Sequence, residues 1–265
     1  ALKEYQRQLL DAVYGTGGSP VFEHKHVLLL REPLAVIAKH RGVTTSQLRD
    51  QLEPIHDLLL AVRNQRKRPL LDTKVLTAWN GLMIRGFADA GRVFNEPTYI
   101  SAASRAAQFV ISKLQTEDGR LLRTYSAGVA KLNGYLDDYA FLVDGLLALY
   151  RATGEQSWLD RALALTDTQL ELFWDDRRGG FFFTSHDHEE LFVRVKKLAD
   201  GAIPAGNSVA AENLLRLAAL HESSVYRKRA RATIAAAVPL LKRAPSAAPR
   251  MIIALSRYEN TPGER

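Results

Sequence analysis

Along most of this chain apolar residues return every three or four positions, the spacing that gives one face of a helix a continuous hydrophobic stripe. The clearest run opens at Gly134-Tyr135-Leu136-Asp137-Asp138-Tyr139-Ala140 and continues through Phe141, Leu142, Leu146, Leu147 and Tyr150. Nearer the start, Leu2 to Tyr14 predicts a helix, and Gly15, Gly17, Gly18, Ser19 and Pro20 predict a loop before the strand-like run Val27 to Leu30. Glu32 to His40 reads as the next helix. Thr44 or Thr45 caps a third that reaches about Gln65, with Pro54 as a kink point and Leu48, Leu52, Ile55, Leu58, Leu59 and Val62 among its apolar positions.

From there the pattern repeats. An aromatic residue opens the second helix of each of three pairs (Tyr99, Trp158, Tyr226), and an alanine follows four positions later each time: Ala103, Ala162 and Ala230. Seventeen residues ahead of each aromatic stands an apolar residue, Leu82, Phe141 or Val209. Short turns at Asn95 to Pro97, Thr153 to Glu155 and Glu222 to Ser224 join each pair into an antiparallel helical hairpin. The longer crossings, Gly119 to Gly128 and Gly179 to Lys197, have strand-like composition. The second predicts a β-hairpin of Phe181 to Thr184 against Leu191 to Lys196. Hairpins with all long crossings at one end predict an all-α toroid, the first helix of each pair lying inside and its N-terminal end facing a central pocket. The repeat register sets Trp79-Asn80, Asp138-Tyr139 and Gly206-Asn207 at one height around that pocket.

Composition sets limits. With 46% hydrophobic and 25% charged residues over 265 positions, the chain suits a globular fold. It has no cysteine, which excludes disulfides and thiolate chemistry and is compatible with a reducing compartment. Ala1 opens no signal-peptide pattern, so a cytoplasmic location is expected. The run Phe141 to Leu149 is broken by Asp144 and falls short of the roughly 20 residues of a membrane span, so no membrane partner is expected. A net charge of +7 rests partly on the clusters Arg63 to Arg68 and Arg227 to Arg231. Lacking interleaved aromatics or a nucleic-acid motif, these read as solvated helical faces, and no nucleic-acid partner is expected.

Four ordered motifs carry a family resemblance: Leu71-Asp72-Thr73-Lys74-Val75-Leu76-Thr77-Ala78-Trp79-Asn80-Gly81-Leu82, Gly134 to Ala140, Gly179-Gly180-Phe181-Phe182-Phe183-Thr184, and Pro204-Ala205-Gly206-Asn207-Ser208-Val209-Ala210. In these the chain resembles the spermatogenesis-associated protein 20 family, which includes the bacterial YyaL-type proteins. The resemblance implies an (α/α)6 barrel like those of six-hairpin glycosidases and N-acylglucosamine 2-epimerases. It also implies a thioredoxin-like domain preceding the barrel in full-length members, and that domain is absent from these residues. Residues 1–265 are thus expected to be a single barrel domain, a fragment whose ring is incomplete because roughly nine of twelve helices are legible. Small departures from the family pattern are Asp137 for Glu, Thr73 for Asp and Ala205 for Ser. None of the seven histidines falls in the first turn of an inner helix, which disfavours epimerisation through histidines.

Two functions follow as expectations: a carbohydrate-binding or glycosidase-like barrel with a small sugar ligand, or a non-catalytic scaffold serving the thioredoxin-like domain. For the first, Asp138 is the expected pocket carboxylate and Asp200 a second one across the cavity, while Asp137 serves the helix start, since neighbours on a helix diverge by about 100°. Placement in a first turn is expected to depress the Asp138 pKa. Capping and turn formation explain both acids equally simply. Trp79 and Tyr139 offer faces for a sugar ring, and Asn80 and Asn207 offer hydroxyl partners or helix caps. Arg194 and Lys196 share one strand face and suit an anionic group or solvent. His24-Lys25-His26 and His186-Asp187-His188 lack a third ligand at recognisable spacing, so no metal is expected, and no phosphate loop, dinucleotide fingerprint or nucleophile elbow calls for a cofactor.

Overall fold

Side chains that accept the N–H groups left over in a first turn set many of the helix starts in this protein. In Ala1–Asp72, one of two units into which the contacts divide, Thr44 Oγ1 accepts the N–H of Gln47 at 3.1 Å while Gln47 Oε1 accepts that of Thr44 at 2.9 Å. The computed structural model describes residues 2–20, 22–188 and 192–260. The first unit holds α1 (Glu4–Tyr14), α2 (Leu34–His40) and α3 (Thr45–Asn64), whose stripes meet in a small core of Leu9, Leu10, Val13, Ile37, Ala38, Leu48, Leu52 and Ile55. Val27 to Leu30 is exposed coil instead of the expected strand, because no neighbouring segment pairs with its backbone.

The second unit, Thr73–Arg265, begins with β1 (Val75–Leu76), α4 (Thr77–Val93) and α5 (Pro97–Leu114), then the hairpin β2 (Leu122–Ser126) and β3 (Val129–Asn133). There follow α6 (Leu136–Thr153), α7 (Gln156–Phe173), α8 (Gly206–His221), α9 (Ser224–Arg243), a short 3-10 turn at Pro245–Ala247, and α10 (Pro249–Asn260). The hairpins α4–α5, α6–α7 and α8–α9 form as the repeat predicts, and Ala103, Ala162 and Ala230 are all buried at their equivalent positions. The inner helices α4, α6, α8 and α10 pack in that order side by side, an all-α toroid architecture. Helix α6 is buried from Asp138 to Leu149, as its almost wholly apolar circumference requires.

Two glycines bring α4 and α6 together. A Cβ on Gly81 would stand 2.5 Å from the Phe141 carbonyl carbon, and one on Gly145 would stand 2.8 Å from the Gly81 carbonyl oxygen. Beside this crossing the inner helices share a buried ionic cluster. Arg85 of α4 and Arg216 of α8 both bond Asp144 of α6, and Arg216 also bonds Glu212. Arg250 of α10 reaches Asp144 at 3.2 Å and Glu212 at 2.7 Å. With both carboxylates under solvent-excluding cover, these pairs fix which faces of the four helices meet.

The crossing Gly119 to Gly128 makes the expected β excursion, with β2 pairing antiparallel to both β1 and β3. The expected hairpin between Phe181–Thr184 and Leu191–Lys196 does not form a ladder among the described residues; residues 189–191 lie outside them. One bond, Phe183 N–H to Val195 O at 2.8 Å, joins the two segments. Side chains replace the ladder: Arg194 donates to Thr184 O at 2.6 Å and Lys196 to Gly179 O at 2.5 Å. No helix among the described residues is long and apolar enough to cross a membrane.

Gly81→Ala should lower stability by about 3 kcal/mol, since backbone on both sides must shift. Gly86→Ala, on the exposed side of the same helix with nothing within 4 Å, should raise it by up to about 1 kcal/mol. Denaturant unfolding of the two variants checks both the sign and the contrast.

Candidate functional site

The starts of α4, α6 and α8 form one rim, and every residue that the repeat register placed there is found in a first turn. Most of them are engaged by the fold. Asp138 is 0% exposed, with Oδ1 accepting the N–H of Ala78 at 2.9 Å and Oδ2 that of Tyr135 at 2.8 Å. It therefore caps its own helix and the neighbouring α4 together. Burial pushes its pKa up to about 6, outweighing the Tyr135 N–H, the Arg123 guanidinium 3.6 Å away and the Ala78 N–H. The depression expected from helix-start placement is reversed because both bonds are made without solvent.

Tyr139 is equally buried, its ring against Phe173 and its hydroxyl accepting the Leu121 N–H at 2.8 Å, so its face is not open to a sugar. Asn207 clamps an extended segment: Oδ1 accepts from Phe181 N at 2.7 Å, and Nδ2 donates to Phe181 O at 2.9 Å and Lys197 O at 3.0 Å. Asp200 bridges two helix starts, accepting the N–H of Ala205 and of Arg250 at 2.8 Å each, one on either carboxylate oxygen. Asn80 donates to Leu76 O at 2.9 Å, while Trp79 stays 60% exposed. Arg194 and Lys196 border a shallow cavity of about 370 Å³ with Phe182 and Arg178, but Lys196 already pairs with Asp175 at 2.6 Å and both cations lie over the Phe182 ring.

Asp137 differs from all of these. It is half-buried at the start of α6, and its Oδ1 is shielded from solvent with the Gly206 N–H as a neighbouring donor outside good hydrogen-bond geometry. Of the two acids, Asp138, the expected pocket carboxylate, is the one that closes the helix starts, and Asp137 keeps acceptor capacity beyond the Gly206 N–H. Burial raises the Asp137 pKa, against the opposing pull of Lys197, the Gly206 N–H and Arg123. Gly206 lies so close to Asp137 Oδ1 that any side chain there would collide with it. Around this acid stand groups that sequence reasoning did not single out. Tyr135 stacks on Phe183 at 4.8 Å and 15°, Arg123 lies 4.7 Å from the Tyr135 ring centre, and Lys197 Nζ lies 3.5 Å from that of Phe183. Tyr135 and Phe183 sit in the quoted motifs; nothing local marks Arg123 or Lys197, which reach the rim through the β2 strand and the crossing before α8.

Of the two histidine patterns, Asp187 in the second pairs with Arg120 through both carboxylate oxygens, and His188 lies 5.6 Å from the Tyr135 ring. Among the described residues no group of three or more His, Asp or Glu side chains gathers as a metal site.

Because the folded pKa of Asp138 exceeds the unfolded value of about 4, the native state holds this proton more tightly and the contribution of Asp138 to stability falls as pH rises from about 4 to about 6. Asp138→Asn should flatten that slope. It should also cost about 1–3 kcal/mol, since an amide cannot accept from both Ala78 and Tyr135. Thermal unfolding of both proteins between pH 4 and 7 measures the slope and the offset.

The architecture has counterparts among solved structures. A GH76 alpha-mannanase of Bacteroides thetaiotaomicron superposes with a TM-score of 0.56 at 16% identity, over 73% of this chain and 53% of that one. A cellobiose 2-epimerase of Bacillus thermoamylovorans gives 0.52 at 18% identity, over 62% and 44%. A family 105 glycoside hydrolase of C. acetobutylicum gives 0.52 at 11%, over 78% and 61%. At these identities the likeness is one of fold, the six-hairpin toroid. No family model matches the chain. Among curated proteins, spermatogenesis-associated protein 20 of Rattus norvegicus and that of Homo sapiens are each 38% identical over 247 residues, 89% of this chain. A Caenorhabditis elegans protein is 32% identical over 230 residues, 84% of the chain. The chain spans 31% of the length of each of these relatives. With the motifs of its inner-helix starts inside the matched region, this chain belongs to the spermatogenesis-associated protein 20 family.

Proposed function

We propose that the rim at the starts of α4, α6 and α8 binds a carbohydrate, with Asp137 accepting its hydroxyl groups. One observation carries this reading: Asp137 is a half-buried carboxylate at the rim, beside the stacked Tyr135 and Phe183 rings, and the Gly206 N–H leaves it with lone pairs for a further donor. A sugar hydroxyl is such a donor. The exposed Trp79 supplies an apolar ring of the kind sugars stack on, and Arg123 and Lys197 keep the site from carrying net negative charge. The structural neighbours that are named for mannan, cellobiose and glycoside chemistry support a sugar as the ligand.

Binding is favoured over hydrolysis. Glycoside cleavage requires two carboxylates flanking the bond, and both oxygens of Asp138 and of Asp200 are held by backbone N–H groups. The same engagement favours, as the second reading, a non-catalytic barrel that serves a thioredoxin-like domain. A calorimetric titration with α-mannan oligosaccharides, cellobiose and a uronic acid separates the two. Under the carbohydrate reading at least one sugar binds, Asp137→Ala abolishes binding without unfolding the protein, and Trp79→Ala weakens it about tenfold. Affinity should rise with pH through the raised Asp137 pKa, because only the carboxylate form is a pure acceptor. No heat with any sugar, or wild-type affinity in Asp137→Ala, rejects the carbohydrate reading and leaves the scaffold.

A further inference from the structure

Leu132 stands in β3 with its backbone in the left-handed region, at φ 65°, and its side chain is 64% exposed. Each of these is a cost to the fold. A Cβ in that region crowds the following carbonyl, which glycine avoids, and an apolar group left in water gains nothing from burial. Among the described non-glycine residues of positive φ, Leu132 is the only large apolar one and the only one inside a strand. The turn of the hairpin does not require it, because Ala127 and Gly128 already make that turn at φ 49° and 84°. Glycine would follow the same backbone path more cheaply, so what leucine adds is its side chain.

The ladder places that side chain at the rim. Leu122 pairs with Asn133 and Thr124 with Lys131, which sets Leu132 across from Arg123. Arg123 is the cation that lies 4.7 Å from the Tyr135 ring centre and 3.6 Å from Asp138. In the sheet order β1-β2-β3 the strand of Arg123 is the middle one. On one side β1 runs directly into the first turn of α4, which carries the exposed Trp79; on the other, β3 carries Leu132. These flanking strands lie two strand spacings apart, about 10 Å.

We propose that Trp79 and Leu132 are two apolar contact points for one extended ligand, so that the rim takes an oligosaccharide of two or more sugar units in preference to a monosaccharide. This rests on the carbohydrate reading of the rim and adds the length of the ligand. The C–H faces of sugar rings pack on exposed apolar side chains, and a single ring is too short to touch both. A chain of rings reaches both, with Arg123 between them donating to its hydroxyl groups and Asp137 accepting from them.

Calorimetric titration of this chain with mannose and α-mannotriose, and with glucose and cellotriose, tests it. At least one trisaccharide should bind about tenfold more tightly than its monosaccharide. Leu132→Gly, which keeps the backbone path, should remove about that tenfold, leave the affinity of the monosaccharide unchanged and raise the melting temperature by about 2–4 °C. Leu132→Asn, which also tolerates the left-handed region, should lose the same affinity, whereas Leu132→Met, which keeps an apolar side chain, should bind as the wild type does. Equal affinity for monosaccharide and trisaccharide, or full trisaccharide affinity in Leu132→Gly, overturns the extended site while the carbohydrate reading stands. A lower melting temperature in Leu132→Gly overturns it too, since the leucine then serves the fold. If the wild type binds none of the four sugars, the carbohydrate reading itself is rejected and the extended site falls with it.

Discussion

A toroid that lines up the N-terminal ends of its inner helices concentrates unpaired backbone N–H groups and positive dipole ends along one rim, and the structure depends on satisfying them. Short polar side chains do this by reaching between elements. Asp138 ties the start of α4 to that of α6, and Asp200 ties the start of α8 to that of α10. Asn207 holds the crossing segment before α8, and Asn213 donates from α8 to Ala140 O on α6 at 2.8 Å. Each link sets the height of one inner helix against its neighbour. The registers of the Gly81–Gly145 crossing and of the Asp144–Glu212 ionic cluster follow from those heights.

This constraint also explains why carboxylates at helix starts are an ambiguous sign of chemistry. The property that makes an acid at such a place attractive as a catalyst, proximity to converging donors, is the property that consumes it as a cap. Asp138 and Asp200 answer to the structural demand on both oxygens. Asp137 escapes because its neighbour is Gly206, whose missing side chain leaves room for the carboxylate without fully satisfying it. In the proposed reading Asp137, among aromatic rings and two cations, is the acid left to meet a ligand, and the asymmetry between adjacent aspartates sets it apart from Asp138.

The two ends of the inner helices carry different chemistry. At the rim, Asp137 and Asp138 stand against Arg123 and Lys197, a balance that fits the proposed hydroxyl ligand. At the far end of α8, Arg227 lies against the Tyr258 ring, and Lys228 and Arg231 make no ion pair among the described residues. A barrel can keep such regions independent because each is built from loops and helix ends, while the buried ionic cluster between them belongs to the packing of the helices.

Much of the architecture was legible in the residues alone. The three-to-four spacing marked the helices, and the recurrence of an aromatic residue with alanine four positions later marked the hairpins, because close packing of equivalent helices demands a small residue at an equivalent place. That same register brought Trp79, Asp138 and Asn207 to one rim from the residues alone. What periodicity could not resolve was the direction of each side chain within a first turn and the partners it met there. Asp137 and Asp138 are chemically identical in sequence; only the placement of Ala78, Tyr135 and Gly206 around them decided which one closes two helix starts. The Phe181 and Leu191 segments likewise had strand composition, but Asn207, Arg194 and Lys196, arriving from other positions in the chain or along the same crossing, took the backbone groups that a ladder would have used. Helices and their repeats are local and therefore written in the sequence, whereas the satisfaction of a donor or acceptor depends on what lies across the gap, which only the tertiary structure supplies.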